Sequence, residues 1–168
     1  MDGIDNGIGC QLVEEGCPAV LGVASAVGCP EAEAVAVLRQ MLSAGFPPEH
    51  ALRSLNSICA LQGKAGAVTV DLCELRLDTG RATLYKWGAA SSYLLKNGQL
   101  RKIGTASPPP GLNVQARETV DRLSLSGGEV LILLSDGAGE DVLLRTEWTA
   151  PVPSPGGLAA ALVERGAE

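Results

Sequence analysis

The chain has 168 residues, which suits one domain and leaves no room for a second independent core, so 1–168 reads as a single unit. Its apolar fraction of 46% supplies a sizeable core of Leu, Val and Ala, whereas an aromatic content of 3% argues against stacking platforms for single-stranded nucleic acid. A net charge of −6 and a pI near 4.8 argue against binding a phosphate backbone.

From Gln11 to Val27 two apolar stretches flank Glu14, Glu15 and Gly16. They read as a β-hairpin turning near Glu15-Gly16, its second arm running from Ala19 to Val27. The period then changes. Pro30 suits a first helical position, Glu31 and Glu33 suit the positive end of a helix, and Val35, Leu38, Met41 and Leu42 recur at helical spacing. Gly45 is the expected C-cap. "PPEHALRSLNSICALQ" predicts a second helix with Leu52, Leu55, Ile58 and Cys59 on one face, and the short Pro-rich link makes the pair an antiparallel hairpin.

After Gly63 the pattern is that of strands. "AVTVDLCELRLDTG" places Val68, Val70, Leu72, Leu75 and Leu77 on a strand that ends in a turn. "RATLYKWGAASSYLLKNGQLRKIG" supplies three more strand pieces, with Asn97-Gly98 as a two-residue hairpin turn. Three prolines make "TASPPPGLN" a loop. A further strand, a turn at Ser126–Gly128 and the apolar run from Val130 follow. The continuous run Val130 to Leu134 predicts a central strand covered on both faces. "LAAALVERGAE" begins a last helix. Hairpin-linked strands with helices grouped in sequence indicate an α+β fold rather than a parallel βαβ sheet.

Five cysteines, at 10, 17, 29, 59 and 73, show no CxxC spacing, so zinc ribbons and disulfide frameworks fit badly. They read as reduced, mostly buried thiols of a cytoplasmic protein. The single histidine, His50, reads as a first-turn surface residue. No signal-peptide pattern opens the chain, and no apolar run reaches the roughly 18 residues of a membrane span.

"LLSDGAGED", Leu133 to Asp141, delivers an aspartate at a strand end between glycines. On its own, an Asp-Gly after a strand is more often a turn than a metal ligand. The surrounding segments decide otherwise. "LRQMLSAGFPPEHALRSLNSI", "VTVDLCELRLDTGRATLYKWGAASSYLLKNGQL", "SPPPGL" and "GGEVLILLSDGAGED" occur in one order, and this set, from about Ala19 to Glu168, resembles the protein phosphatase 2C-like domain of the stage II sporulation protein E family. The resemblance implies an α/β/β/α sandwich of antiparallel sheets flanked by helices. It also implies a pair of Mn²⁺ or Mg²⁺ ions and hydrolysis of phosphoserine or phosphothreonine on a partner protein. Two hard cations neutralise a phosphate monoester and lower the pKa of a bridging water, and they require carboxylate ligands.

The resemblance makes Asp136 the late metal ligand, with Gly137 completing its motif. Elsewhere the motif is degraded. The family's early Asp-Gly-x-Gly slot holds "SAVG", so Ser25 replaces the bridging aspartate, Ala26 the glycine whose carbonyl binds metal, and Gly28 is retained. The still earlier Gly-Asp motif corresponds to Ile4-Asp5, although "GIDNG" equally reads as a plain turn. The family's final Asp-Asp pair has no counterpart before Glu168, so the chain reads as truncated or lacking that ligand. Two functions follow: a phosphatase with a weakened metal site, and a pseudophosphatase that binds phosphoproteins. The implied partner is a phosphoprotein of the anti-anti-sigma-factor type. The helical hairpin 31–62 resembles an element through which such domains form homodimers or are switched, and Ala32, Ala34, Ala36 and Ala44 would permit close packing there; core packing explains the same pattern. Some relatives follow a membrane region, so the chain reads equally as the cytoplasmic piece of an anchored parent.

Overall fold

A computed structural model describes residues 6–11, 19–26, 31–63, 68–88, 91–134, 140–148 and 157–158. Strand β1 (Asn6–Gln11) and β2 (Ala19–Ala26) form the expected hairpin, but its first arm begins at Asn6 rather than Gln11, and Gln11 pairs with Val20. Residues 6–10 are thus already strand.

Helices α1 (Glu31–Ser43) and α2 (Pro48–Leu61) follow. Helix α1 ends as its sequence directs. Gly45 has φ 81°, its N–H donates to Leu42 O, and the Phe46 N–H donates back to Met41 O at 3.0 Å. In α2, Pro48 opens the first turn and His50 is exposed there, as expected. The buried face is Ala51, Leu52, Leu55, Asn56 and Cys59, while Ile58 is half-buried. The alanines of the hairpin do not form one face: Ala34 is in the core, and Ala36 and Ala44 are exposed. A step of two residues turns a helix by about 200°, so such spacing cannot line one side.

The strands β3 (Val68–Arg76), β4 (Arg81–Trp87), β5 (Ser92–Lys96), β6 (Gln99–Ile103), β7 (Thr119–Ser124) and β8 (Val130–Leu133) complete two antiparallel sheets. One sheet has the order β1-β2-β3-β4-β7 and the other β6-β5-β8. Asn97 (φ 49°) and Gly98 (φ 74°) turn β5 into β6 in the left-handed conformations that a two-residue hairpin demands.

Three apolar contacts stack these elements into α/β/β/α layers. Ala34, Leu38, Leu52 and Leu55 of the helical hairpin cover Val68, Val70, Leu72, Tyr85 and Trp87. Cys73, Ala82 and Leu84 face Leu94, Ile103, Leu131 and Leu133 between the sheets. On the far face, Tyr93, Leu95 and Ile132 pack under Leu143 of a short helix α3 (Glu140–Arg145) and Leu158. Strand β8 departs from expectation. Among the described residues it is an edge strand, and Val130, Leu131 and Leu133 are only half-buried. Its apolar run is continuous because its two faces meet two different layers, not because it lies at the centre. No described helix is long and apolar enough to cross a membrane.

Candidate functional site

The backbone register fixes where Ser25 and Ala26 lie. Ser25 and Ala26 end β2, with Ser25 between Asn6 of β1 and Thr69 of β3. Thr69 in turn presses on Gly88 at the end of β4: a Cβ added to Gly88 would lie 2.6 Å from Thr69 Cγ2. Gly88, at φ 118°, exchanges hydrogen bonds with Ser107. Its N–H donates to Ser107 Oγ at 3.2 Å, and its carbonyl accepts the Ser107 N–H at 3.0 Å. The Pro-rich loop 105–118 therefore begins at the same end of the sandwich as Ser25.

Two residues along β3 from Thr69 stands Asp71, paired in register with Lys86 of β4. The Lys86 ammonium donates to both carboxylate oxygens, at 2.6 and 2.7 Å, and Ser92 Oγ of the opposite sheet donates to Oδ2 at 3.1 Å. Lys86 and Asp71 are 2% and 3% exposed. Gly104 makes room for the lysine stem, since a Cβ there would lie 2.9 Å from Lys86 Cε. The low dielectric between the sheets strengthens this pairing and makes either charge costly alone. It commits the Asp71 carboxylate to a fixed cation.

Asp136 and Gly137 lie outside the described residues, as do Asp5 and Gly28. The residues flanking the Asp136 segment dock on β5 beside Ser92. The Leu134 N–H donates to Ser91 O at 3.2 Å, and the Tyr93 hydroxyl donates to the Glu140 carboxylate. Lys102 lies 3.3 Å from the same carboxylate. Hydrogen bonds from the Tyr93 hydroxyl first, then from the Ser91 side chain and Lys102, hold the Glu140 carboxyl below its ordinary pKa, while burial pushes the Tyr93 phenol up. Among the described residues, no three His, Cys, Asp or Glu side chains gather as a metal-holding group.

The loop 105–118 is held from α2. Asn56, buried in that helix, commits its whole amide to the loop: Oδ1 accepts the Gly111 N–H at 2.6 Å, and Nδ2 donates to Asn113 O at 3.2 Å and Val114 O at 3.4 Å. One turn earlier, Arg53 reaches Glu118 at 3.4 Å. Sequence reading missed Asn56, Asp71, Lys86 and Ser92. The available signal was polar residues at inward positions: an asparagine on the apolar face of α2, and opposite charges inside two adjacent apolar strands.

Comparison with known proteins follows the same outline. The family model described as "Stage II sporulation protein E" matches residues 22–154. The stage II sporulation protein E of Priestia megaterium is 27% identical over 109 residues, covering 64% of this chain but only 19% of that longer protein. The chain thus spans a small part of the curated relative it matches. Among solved structures, the protein phosphatase 2C domain with a regulatory fragment of the cell-fate determinant SpoIIE from Bacillus subtilis superposes with a TM-score of 0.82 at 19% identity, over 96% of this chain and 52% of that one. The catalytic domain of the serine/threonine protein phosphatase PstP, solved with two manganese ions, gives 0.67 at 18% identity, over 96% and 91% of the two chains.

Proposed function

The chain belongs to the stage II sporulation protein E family, and we propose that it is a protein phosphatase 2C-like domain that engages a phosphoserine- or phosphothreonine-bearing regulatory protein through a degraded metal site. The observation that carries this reading is the register of Ser25 against Thr69. Two hydroxyl-bearing residues are register partners there, and Ser25 is read as standing in for the bridging carboxylate of the family motif. Neutral oxygens do not give a pair of divalent ions the shared negative ligand they need. The carboxylate two residues further along β3, Asp71, is already bonded to Lys86. Recognition of the phosphorylated partner is then the principal role, and rapid hydrolysis is not.

The partner class is a phosphoprotein of the anti-anti-sigma-factor type, as the family membership suggests, and Mn²⁺ or Mg²⁺ is the cation to test. Self-association through the hairpin 31–62 belongs to the same proposal, and sedimentation velocity tests it. The decisive experiment is Mn²⁺ calorimetry on three proteins: wild type, Ser25→Asp with Ala26→Gly, and that pair with Asp136→Ala. Weak binding by wild type, tighter binding by the restored motif and loss of that gain on removing Asp136 are expected. Tight binding of two Mn²⁺ ions by wild type, with brisk hydrolysis of p-nitrophenyl phosphate, would overturn the reading.

A further inference from the structure

The loop 105–118 is fixed at both its base and its tip. At the base, Ser107 Oγ donates to Lys86 O at 3.0 Å and the Thr119 hydroxyl donates to Thr105 O at 2.7 Å. At the tip, Asn56 holds three backbone groups, Pro110 is fully buried, and Asn113 Oδ1 accepts the Gln115 N–H at 2.9 Å. A loop secured in this way nonetheless exposes two apolar side chains, Leu112 at 64% and Val114 at 57%. Isolated exposed apolar residues are ordinary. These two alternate at the clamped tip of a loop whose base lies at the end of the sandwich that carries Ser25.

The charge of this surface differs from that of the chain. The protein carries −6, yet residues 105–117 contain no acidic residue and one arginine, Arg117. The next residue, Glu118, turns inward with its side chain 3% exposed and paired to Arg53. Arg117 and Arg122 are exposed. A polyanionic peptide is repelled by the acidic surface as a whole and tolerated here.

We propose that loop 105–118 is a docking rim for the peptide segment that flanks the phosphorylated residue of the partner, with Leu112 and Val114 as its apolar contacts and Arg117 as its cation. This rests on the phosphoprotein-binding reading above. The occupant is a phosphorylated segment with apolar residues beside the phosphate. Because the loop is already ordered, binding incurs little of the entropy cost that a mobile loop would incur. Asn56 is a positioning residue: it touches no ligand and fixes the surface that does.

The test is selection from a phosphoserine peptide library with randomised flanking positions, against wild type, Leu112→Ser with Val114→Ser, and Asn56→Ala. Wild type enriches apolar flanking residues. The double variant keeps phosphate-dependent retention but binds the preferred peptides about tenfold more weakly and loses the apolar preference, as the removal of two apolar contacts should cause. Asn56→Ala weakens the same peptides while its unfolding midpoint, followed separately, reports on the fold. Unchanged flanking preference in the double variant overturns the docking rim alone. If wild type retains phosphorylated and unphosphorylated libraries equally, both this inference and the phosphoprotein-binding reading fall.

Discussion

The Lys86 ammonium lies 2.6 Å from Asp71 Oδ1 with both side chains sealed between the sheets. An isolated charge in that layer would be expensive, whereas the pair with Ser92 is mutually satisfied. The pair links the neighbouring strands β3 and β4, the Ser92 bond ties it to the opposite sheet, and the pair lies two residues along β3 from Thr69, the register partner of Ser25. Lys86→Met or Asp71→Leu alone is expected to destabilise by about 3–5 kcal/mol, because each strands the other charge. The double substitution should recover most of that loss, leaving roughly 1 kcal/mol for the abandoned Ser92 hydroxyl. Urea unfolding of the three variants checks this, and strictly additive losses would show that the charges act independently.

Gly88 is the backbone joint at the same end of the sheet. Its φ of 118° and the 2.6 Å approach of Thr69 Cγ2 leave no place for a Cβ. Gly63, at φ 67° with nothing within 4 Å of where a Cβ would stand, carries the conformational cost without the clash. Gly63→Ala should therefore cost about 1 kcal/mol, and Gly88→Ala at least about 2 kcal/mol. Equal unfolding midpoints for the two variants would remove the claim of close packing against Thr69.

The local signals in the sequence were good guides where one segment decides its own shape. Pro48 and Gly45 bracket the helix turn, and Asn97-Gly98 forces the β5–β6 hairpin. The strand expected over Ala19 to Val27 was legible in the same way and forms over Ala19–Ala26. Sequence reading failed where partners distant in the chain decide. The run Val130 to Leu134 cannot reveal whether its cover comes from neighbouring strands or from layers above and below. Helix α3 has six residues, too few for a periodic pattern, and gains its apolar cover from Leu158 and Trp148. The role of Asn56 was not legible because its acceptors and donor lie 55 to 58 positions away. Asp71 falls at a polar position of the alternating strand, Lys86 follows Ala82 and Leu84 on one strand face, and only the β3–β4 register makes them a pair.

Cys73 should be chemically silent in the folded protein. It is fully buried, and burial, followed by the Glu74 carboxylate, pushes its thiol pKa up to about 11. Nucleophilic attack requires the thiolate. Iodoacetamide at pH 8 is expected to leave Cys73 unmodified in native protein and to modify it fully in urea, as peptide mass spectrometry would record. Rapid labelling under native conditions would place Cys73 at an accessible surface and contradict the inter-sheet core.

The turn between β7 and β8 gives a pH dependence of definite sign. Glu129 accepts bonds from the Ser126 N–H at 3.0 Å and the Ser126 hydroxyl at 2.8 Å, and it pairs with Lys96. The Lys96 partner first, and then Ser126, lower its pKa from 4.5 to about 2. A carboxylate whose folded pKa is depressed contributes stability that is complete above its unfolded pKa and is lost as the pH falls through the folded value. Wild type should therefore exceed Glu129→Gln in stability at pH 6, and the gap should shrink from about pH 4.5 downward and close near pH 2. Urea unfolding of both proteins across that range measures the gap, with Lys96→Met narrowing it at pH 6. A gap that widens on acidification would reverse the sign and show that Glu129 is held protonated, not ionised, in the folded turn.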